Sequence, residues 1–339
     1  MRKLILVLGN GFTIDLLAHL NPKPNIDLVN LFSKGDTVVW PDGSNEQGFL
    51  SYKHCPSLWS LGARPYMQAS QATDLIEDII TCANMISCSG FDPQNEDLYT
   101  NAYYELVAYL KHLFIQYNSL VPDSHLLSAS ITEWGWFDLI KRAYDNNEYE
   151  KIVIITYNYD IFLERVLRLH NLNFSINGIE PDQGKILILK PHGSISFAHE
   201  IIGDVSLFSI RKSRDMYEAA LSNFSVNYSN LNDNFLVNAL VPPAGDSTRM
   251  AYKWASEIRE RVQEHISQVK QGDKVIISGL SYWHVDRREI DELLIFLSTK
   301  EINTYMVNPN PPRALNAVLT CVLPKHIIYM SSDLLKGVC

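Results

Sequence analysis

The sequence predicts an α/β fold built on a parallel sheet, and three observations carry that expectation. The chain opens on a short continuous apolar run, Leu4-Ile5-Leu6-Val7-Leu8, closed by Gly9-Asn10-Gly11; a strand buried on both faces reads this way. Apolar runs of the same kind recur after residue 150 and alternate with helix-length segments, the rhythm of strand–helix crossovers. The chain is also long enough, at 339 residues with 46% hydrophobic, to bury a large core without disulfide or metal staples. Together these give a Rossmann-like parallel sheet of about six strands, with helices on both faces and a mostly helical insertion after the first βα unit.

The elements follow in order. Leu4 to Leu8 is the first strand, and Phe12 to Leu20 has helical spacing (Ile14, Leu17, Ala18) stopped by Pro22 and Pro24. A strand that runs through a glycine turn into a helix opens a nucleotide-binding α/β unit. Residues 25–65 are loop-rich, with Gly35, Pro41, Asp42-Gly43 and Pro56. Residues 70–86 and 98–117 read as helices, with apolar positions at Leu75, Ile79 and Ile80, then at Leu106, Leu110 and Leu113. Residues 21–148 therefore form the insertion, a lid or assembly module, with Trp134-Gly135-Trp136-Phe137 in its core. Residues 1–20 and 149–339 form the sheet domain. Its strands are Lys151 to Thr156, Ile186 to Leu189, Leu236 to Val241, Val275 to Ile277, Ile302 to Val307 and His326 to Met330. Its helices are Ile161 to His170, 251–270 and 287–298; the second carries Trp254, Ile258, Val262, Ile266 and Val269 on one face.

Composition excludes several classes. Lys and Arg number 29 against 38 Asp and Glu, a net charge of −9, whereas nucleic-acid binders draw affinity from a basic excess. No direct nucleic-acid binding is expected. The five cysteines, Cys55, Cys82, Cys88, Cys321 and Cys339, form no Cys-x-x-Cys pair, so neither structural zinc nor a disulfide framework is indicated. His54 with the nearby cysteines, and His284 with Asp286, lack metal-site spacing, and no metal is expected. There is no apolar stretch of membrane-spanning length, and the N-terminal run is too short for a signal peptide. A cytoplasmic protein is the expectation.

In an open parallel sheet, ligands bind outside the carboxyl ends of the strands. The first strand ends in Gly9-Asn10-Gly11-Phe12-Thr13. Glycines there admit a pyrophosphate and the helix N-terminus favours its charge, although the third glycine of the full fingerprint is missing and a tight turn without ligand fits equally well. The second ends in Thr156-Tyr157-Asn158-Tyr159-Asp160, with Glu164 beyond. Asp160 alone reads first as a helix cap, whereas the Asn158 amide offers donor and acceptor to a water or hydroxyl. The third ends in His192-Gly193-Ser194; a lone histidine at a strand end is more often structural, but imidazole titrates near neutrality and suits a general base. Ser278-Gly279-Leu280-Ser281 and Asn308-Pro309 follow later strands, each ordinary turn chemistry when taken singly.

As a set, these segments resemble the SIR2-like (sirtuin-related) family of NAD-processing domains, in the family's order. The matching pieces are Gly9 to Phe12, Thr156 to Asp160, His192 to Ser194, Gly279 to Ser281 with Asp286, and Val307-Asn308. The Asn-Tyr-Asp form followed by Glu164 is similar to the bacterial antiphage branch, and Gly9-Asn10-Gly11-Phe12 is also similar to abortive-infection proteins of the AbiH type. The resemblance implies NAD+ as substrate. Gly9, Asn10 and Gly11 would lie along the pyrophosphate, and Asn158 and Asp160 beside the nicotinamide ribose, with His192 as catalytic base. Gly279, Ser281 and Asn308 would hold phosphate and adenosine ribose, and Phe12, Thr156 and Asp286 complete the binding set. Deacetylase sirtuins carry a zinc ribbon, whereas this chain has no cysteine from 89 to 320. The implied reaction is thus hydrolysis of the nicotinamide–ribose bond, an NADase acting by NAD depletion in antiphage defence. The resemblance also implies a homo-oligomer, or a partner such as a HerA-type ATPase. An NAD- or ADP-ribose-sensing module without turnover is one alternative, and a protein deacylase or ADP-ribosyltransferase another.

Overall fold

The computed structural model describes residues 2–43, 48–88, 97–211, 215–242, 252–280, 287–300, 302–323 and 325–337. Among them the strands are, in chain order, β1 (Arg2–Leu8), β2 (Tyr149–Thr156), β3 (Phe174–Ile176), β4 (Ile186–Leu189), β5 (Phe197–His199) and β6 (Ile202–Gly203). β7 (Phe224–Val226), β8 (Asn234–Phe235), β9 (Lys274–Ser278), β10 (Asn303–Val307) and β11 (Ile327–Tyr329) follow. The chain forms two compact units. One comprises Met1–Pro24, Val121–Pro191 and Glu257–Cys339, the other Asn25–Leu120 and His192–Ser256.

The first unit holds a seven-stranded sheet in the order β11-β10-β9-β1-β2-β4-β3, with every neighbouring pair parallel. β1 is central because its side chains are apolar on both faces; Leu4, Leu6, Val7 and Leu8 are all 0% exposed. Ile5 and Val7 face a core shared with Val153, Ile155, Val275 and Ile277, covered by Ile266, Leu293, Leu294, Leu297, Leu315 and Leu319 from helices. From β1 the chain builds outward through β2 and β4 on one side, then through β9, β10 and β11 on the other. The order therefore reverses between β1 and β9, and a crevice opens at the carboxyl ends of strands at such a switch point.

One strand of the sheet was not expected: β3, three residues long, is an edge strand paired to β4. Helix Asn10–His19 follows β1, and Phe12 is 2% exposed, with ring centroids 5.1 Å from Trp134 and 5.5 Å from Trp136. Trp134 Nε1 donates to Asp15 Oδ2 at 2.8 Å. This tryptophan pair thus belongs to the sheet's unit, as does the helix Gly135–Asp145 behind it.

The second unit is built on helix Leu98–Ser119, buried at most positions from Thr100 to Tyr117 and capped by Asp97, whose carboxylate accepts from Thr100 N at 2.8 Å. Helix Ala69–Cys88 and helix Pro56–Ser60 pack beside it. Residues 192–256 join this unit rather than the sheet. Tyr252 Oη donates to Tyr103 Oη at 3.3 Å, and Lys111 Nζ to Asn238 Oδ1 at 2.9 Å. Two short antiparallel ladders, β5–β7 and β6–β8, complete it. The expected strand from Leu236 to Val241 does not form. The strand there is β8, and beyond it Leu240 makes one isolated bridge to Gly193. The intervening backbone is held by single bonds instead of a ladder: Leu236 N to Ile201 O, Leu240 N to Asn238 O and Val241 N to His192 O. Among the described residues, no helix is long and apolar enough to cross a membrane.

Candidate active site

At the switch point, two glycine turns are packed backbone against backbone. Gly9 N donates to Ser278 O at 2.9 Å and Gly11 N to Gly279 O at 3.2 Å. Gly279 has φ +66°, and a Cβ there would lie 2.5 Å from Gly11 Cα and N. A Cβ on Gly9 would meet Gly279 O at 2.6 Å. The glycines are thus required by the contact between the β1 and β9 turns. Gly11 N and Phe12 N, which donates to Gly9 O at 3.0 Å, are already occupied, so these two groups do not donate to a phosphate. What the helix N-terminus retains is its dipole, with no acidic residue in the first turn. Asn10 is exposed there, whereas Phe12 is core.

The end of β2 carries the most ordered polar group. Asn158 is half-buried; its Nδ2 donates to Gly9 O at 3.1 Å and to Thr13 Oγ1 at 2.9 Å. A carbonyl accepts only, so Gly9 O fixes which way the amide points. Both amide hydrogens are thereby used, and Oδ1 accepts from no protein donor among the described residues. Thr13 Oγ1 in turn donates to Asp160 Oδ2 at 2.9 Å. Asp160 is 4% exposed, and its Oδ1 accepts from Phe162 N at 3.1 Å at the start of helix Phe162–Leu169. It holds the first helical N–H from the position before the N-cap Ile161, and it is the hub of the polar group. Burial pushes its carboxyl above the ordinary aspartate range, Lys190 pulls it back down, and Glu164 pushes it up again. Thr156 is buried, and its Oγ1 accepts from Asn158 N at 3.3 Å.

Sequence reasoning gives Lys190 and Thr13 no role, yet they tie the site together. Lys190 closes β4, and its Nζ donates to Asp160 O at 2.5 Å and to Glu164 Oε1 at 2.7 Å. The signal was present in a lysine ending the run Ile186-Leu187-Ile188-Leu189 and a glutamate in the helix after the neighbouring strand, two opposite charges at adjacent strand ends. Asn308 lies at the end of β10; its N–H donates to Tyr329 O at 3.0 Å, and its Oδ1 accepts from Asn310 N at 2.9 Å. Ser281 and Asp286 lie outside the described residues.

His192 begins the second unit's later segment and is 3% exposed. Its carbonyl accepts from Val241 N at 3.0 Å. Gly193 follows with no room for a side chain, since a Cβ would lie 1.9 Å from Ala239 O. Ser194 N donates to Ala239 O at 3.0 Å. The turn that presents the imidazole is therefore rigid. Among the described residues, no group of three or more His, Cys, Asp or Glu could hold a metal ion.

A family model described as SIR2-like domain matches residues 152–300. The match takes in Asn158, Asp160, Glu164, Lys190, His192 and Gly279, and leaves Gly9 to Thr13 and Asn308 outside. A search of curated proteins finds no sequence match. SIR2-like domains bind NAD+ and their family members are NAD-dependent enzymes, so the match supports a SIR2-like, NAD-related activity for this chain.

Proposed function

We propose that the chain is an NAD+ hydrolase that cleaves the nicotinamide–ribose bond and depletes NAD+ in antiphage defence. Water adds to the anomeric carbon of the ribose as the bond to the nicotinamide nitrogen breaks. The bonding pair leaves with nicotinamide, which departs neutral, and the water gives up one proton; the products are ADP-ribose, nicotinamide and H+. The leaving group already carries the positive charge, so no general acid is needed, and the sugar passes through an oxocarbenium-like state. Asn158 orients the water or the ribose hydroxyls through its Oδ1, and His192 takes the proton.

The observation that carries this reading is the Asn158 amide. A switch-point asparagine with both N–H groups committed, and its carbonyl uncommitted among the described residues, is set to accept from a substrate hydroxyl or water. The same reading makes the working enzyme a homo-oligomer, or a complex with a HerA-type ATPase.

The test is nicotinamide release from NAD+ by purified protein. General-base and positioning groups of this kind contribute at least about 100-fold, and Asn158→Ala and His192→Ala are each expected to lose that much while remaining folded. Near-wild-type turnover in either variant would remove that residue from the mechanism. Thermal stabilisation by NAD+ without nicotinamide release would instead make the chain a sensor.

A further inference from the structure

The Lys190 and Glu164 side chains are 0% and 1% exposed, an ion pair out of contact with water. Such a pair adds little net stability compared with apolar packing, because desolvation offsets the attraction. Glu164 Oε2 is buried with no hydrogen-bond partner among the described residues, so the cluster is not arranged for full satisfaction. It is arranged around Asp160. Lys190 Nζ reaches the Asp160 carbonyl, Asp160 Oδ2 takes the Thr13 hydroxyl, and Thr13 Oγ1 takes an Asn158 amide hydrogen.

We propose that Lys190 is a positioning residue for Asn158: its ammonium keeps Asp160 an acceptor for the Thr13 hydroxyl, and that hydroxyl orients the Asn158 amide. The catalytic consequence rests on the NAD+ reading; the orientation does not. The groups facing the Asp160 carboxylate are Lys190, which favours its charge, Glu164, which opposes it, and the Phe162 N–H and Thr13 hydroxyl, which both favour it. A proton on Asp160 Oδ2 replaces the acceptor of the Thr13 hydroxyl with a donor, which competes for the Thr13 lone pair that Asn158 Nδ2 uses.

Two variants move this equilibrium in opposite directions. Glu164→Gln keeps the ammonium and deletes the like charge, so Asp160 ionises at lower pH. Lys190→Met combined with Glu164→Gln removes both charges without stranding either, so Asp160 keeps its burial, loses its cation and ionises at higher pH. The readout is the pH titration of the Asn158 side-chain NH2 resonances, assigned by their loss in Asn158→Ala, in protein without substrate. The midpoint is expected to fall in the first variant and rise in the second, and Thr13→Val is expected to abolish the titration. Equal midpoints in wild type and Glu164→Gln overturn the proposal even if the double variant does not fold.

NAD+ turnover is measured alongside. Between the wild-type and double-variant midpoints, the double variant is expected to lose about 100-fold in kcat with KM nearly constant, and the acid limb is expected to follow the resonance midpoints. Shifted midpoints with no wild-type cleavage of NAD+ would sink the hydrolase reading and leave the positioning role standing. Cleavage with unshifted midpoints would do the reverse.

Discussion

Gly279→Ala measures how tightly the two turns at the switch point are joined. The new methyl would sit 2.5 Å from Gly11 Cα and N and 2.7 Å from Phe12 N. All are backbone atoms, which cannot rotate aside. A side chain at φ +66° adds left-handed strain of about 1–2 kcal/mol, and overpacking adds about 1–3 kcal/mol. A loss of about 3.5 kcal/mol is the expected centre of the combined range, or about 7–14 °C in Tm for a unit of this size. Two controls separate the causes. Gly272 has φ +95° and only Arg2 Nε, at 3.8 Å, near its Cβ position, so Gly272→Ala reports strain alone. Gly9 has φ −110° but a 2.6 Å approach to Gly279 O, so Gly9→Ala reports crowding alone. Equilibrium urea unfolding of the three variants gives the comparison. If Gly279→Ala is no more destabilising than Gly272→Ala, the turns are not in firm contact and the reasoning fails.

Further outcomes follow from single residues. Phe12→Ala should cost about 3–5 kcal/mol by chemical denaturation, since the ring is enclosed by Trp134 and Trp136; a loss below about 1 kcal/mol would show that it is not core. Burial raises the Asp160 pKa, so the folded state holds that proton more tightly than the unfolded chain. Its stabilisation is full below the ordinary value of 3.8 and is lost as pH rises through the raised one. Asp160→Asn should therefore remove a decline seen in wild-type urea midpoints over that window. Burial lowers the Lys111 pKa from 10.5 to about 7, so the folded state releases a proton that the unfolded chain keeps. Stability should rise from about pH 7 towards 10, and Lys111→Met should flatten that rise in the same assay.

Much of the first unit was legible because its signals are local. Leu4 to Leu8 and Ile186 to Leu189 are apolar runs too short for helices, and both are strands. Helices Asn10–His19, Phe162–Leu169 and Arg287–Ser298 fall close to their expected bounds. β3 was missed because Phe174-Ser175-Ile176 has too few residues to show a period, and its stability comes from pairing with β4. The Leu236 to Val241 run looked like a strand because all of it but Asn238 is apolar, but its backbone bonds go singly to Ile201, His192, Ser194 and its own Asn238 rather than to one partner strand. The division into units escaped for the same reason: bonds such as Lys111 to Asn238 span 127 residues and leave no periodicity. At the site, residue types pointed to Asn158 and Asp160, whereas the contact of Gly9 and Gly11 with Gly279 shows only in three dimensions. Lys190 was hidden because a terminal lysine on a strand ordinarily reaches water, and this one has none.

The place of β1 in the sheet has a consequence for synthesis. Its partner on one side is β9, and the bond from Lys3 N to Asp273 Oδ1 closes a loop of 270 residues. At about 5–20 residues per second, the ribosome needs on the order of 10–60 s to deliver that partner after the first strand emerges. For all that time, a strand of five consecutive aliphatic residues has a bare hydrogen-bonding edge. A message truncated before Lys274 is therefore expected to yield an aggregating product instead of a smaller working domain, which the soluble fraction of such a truncation would check.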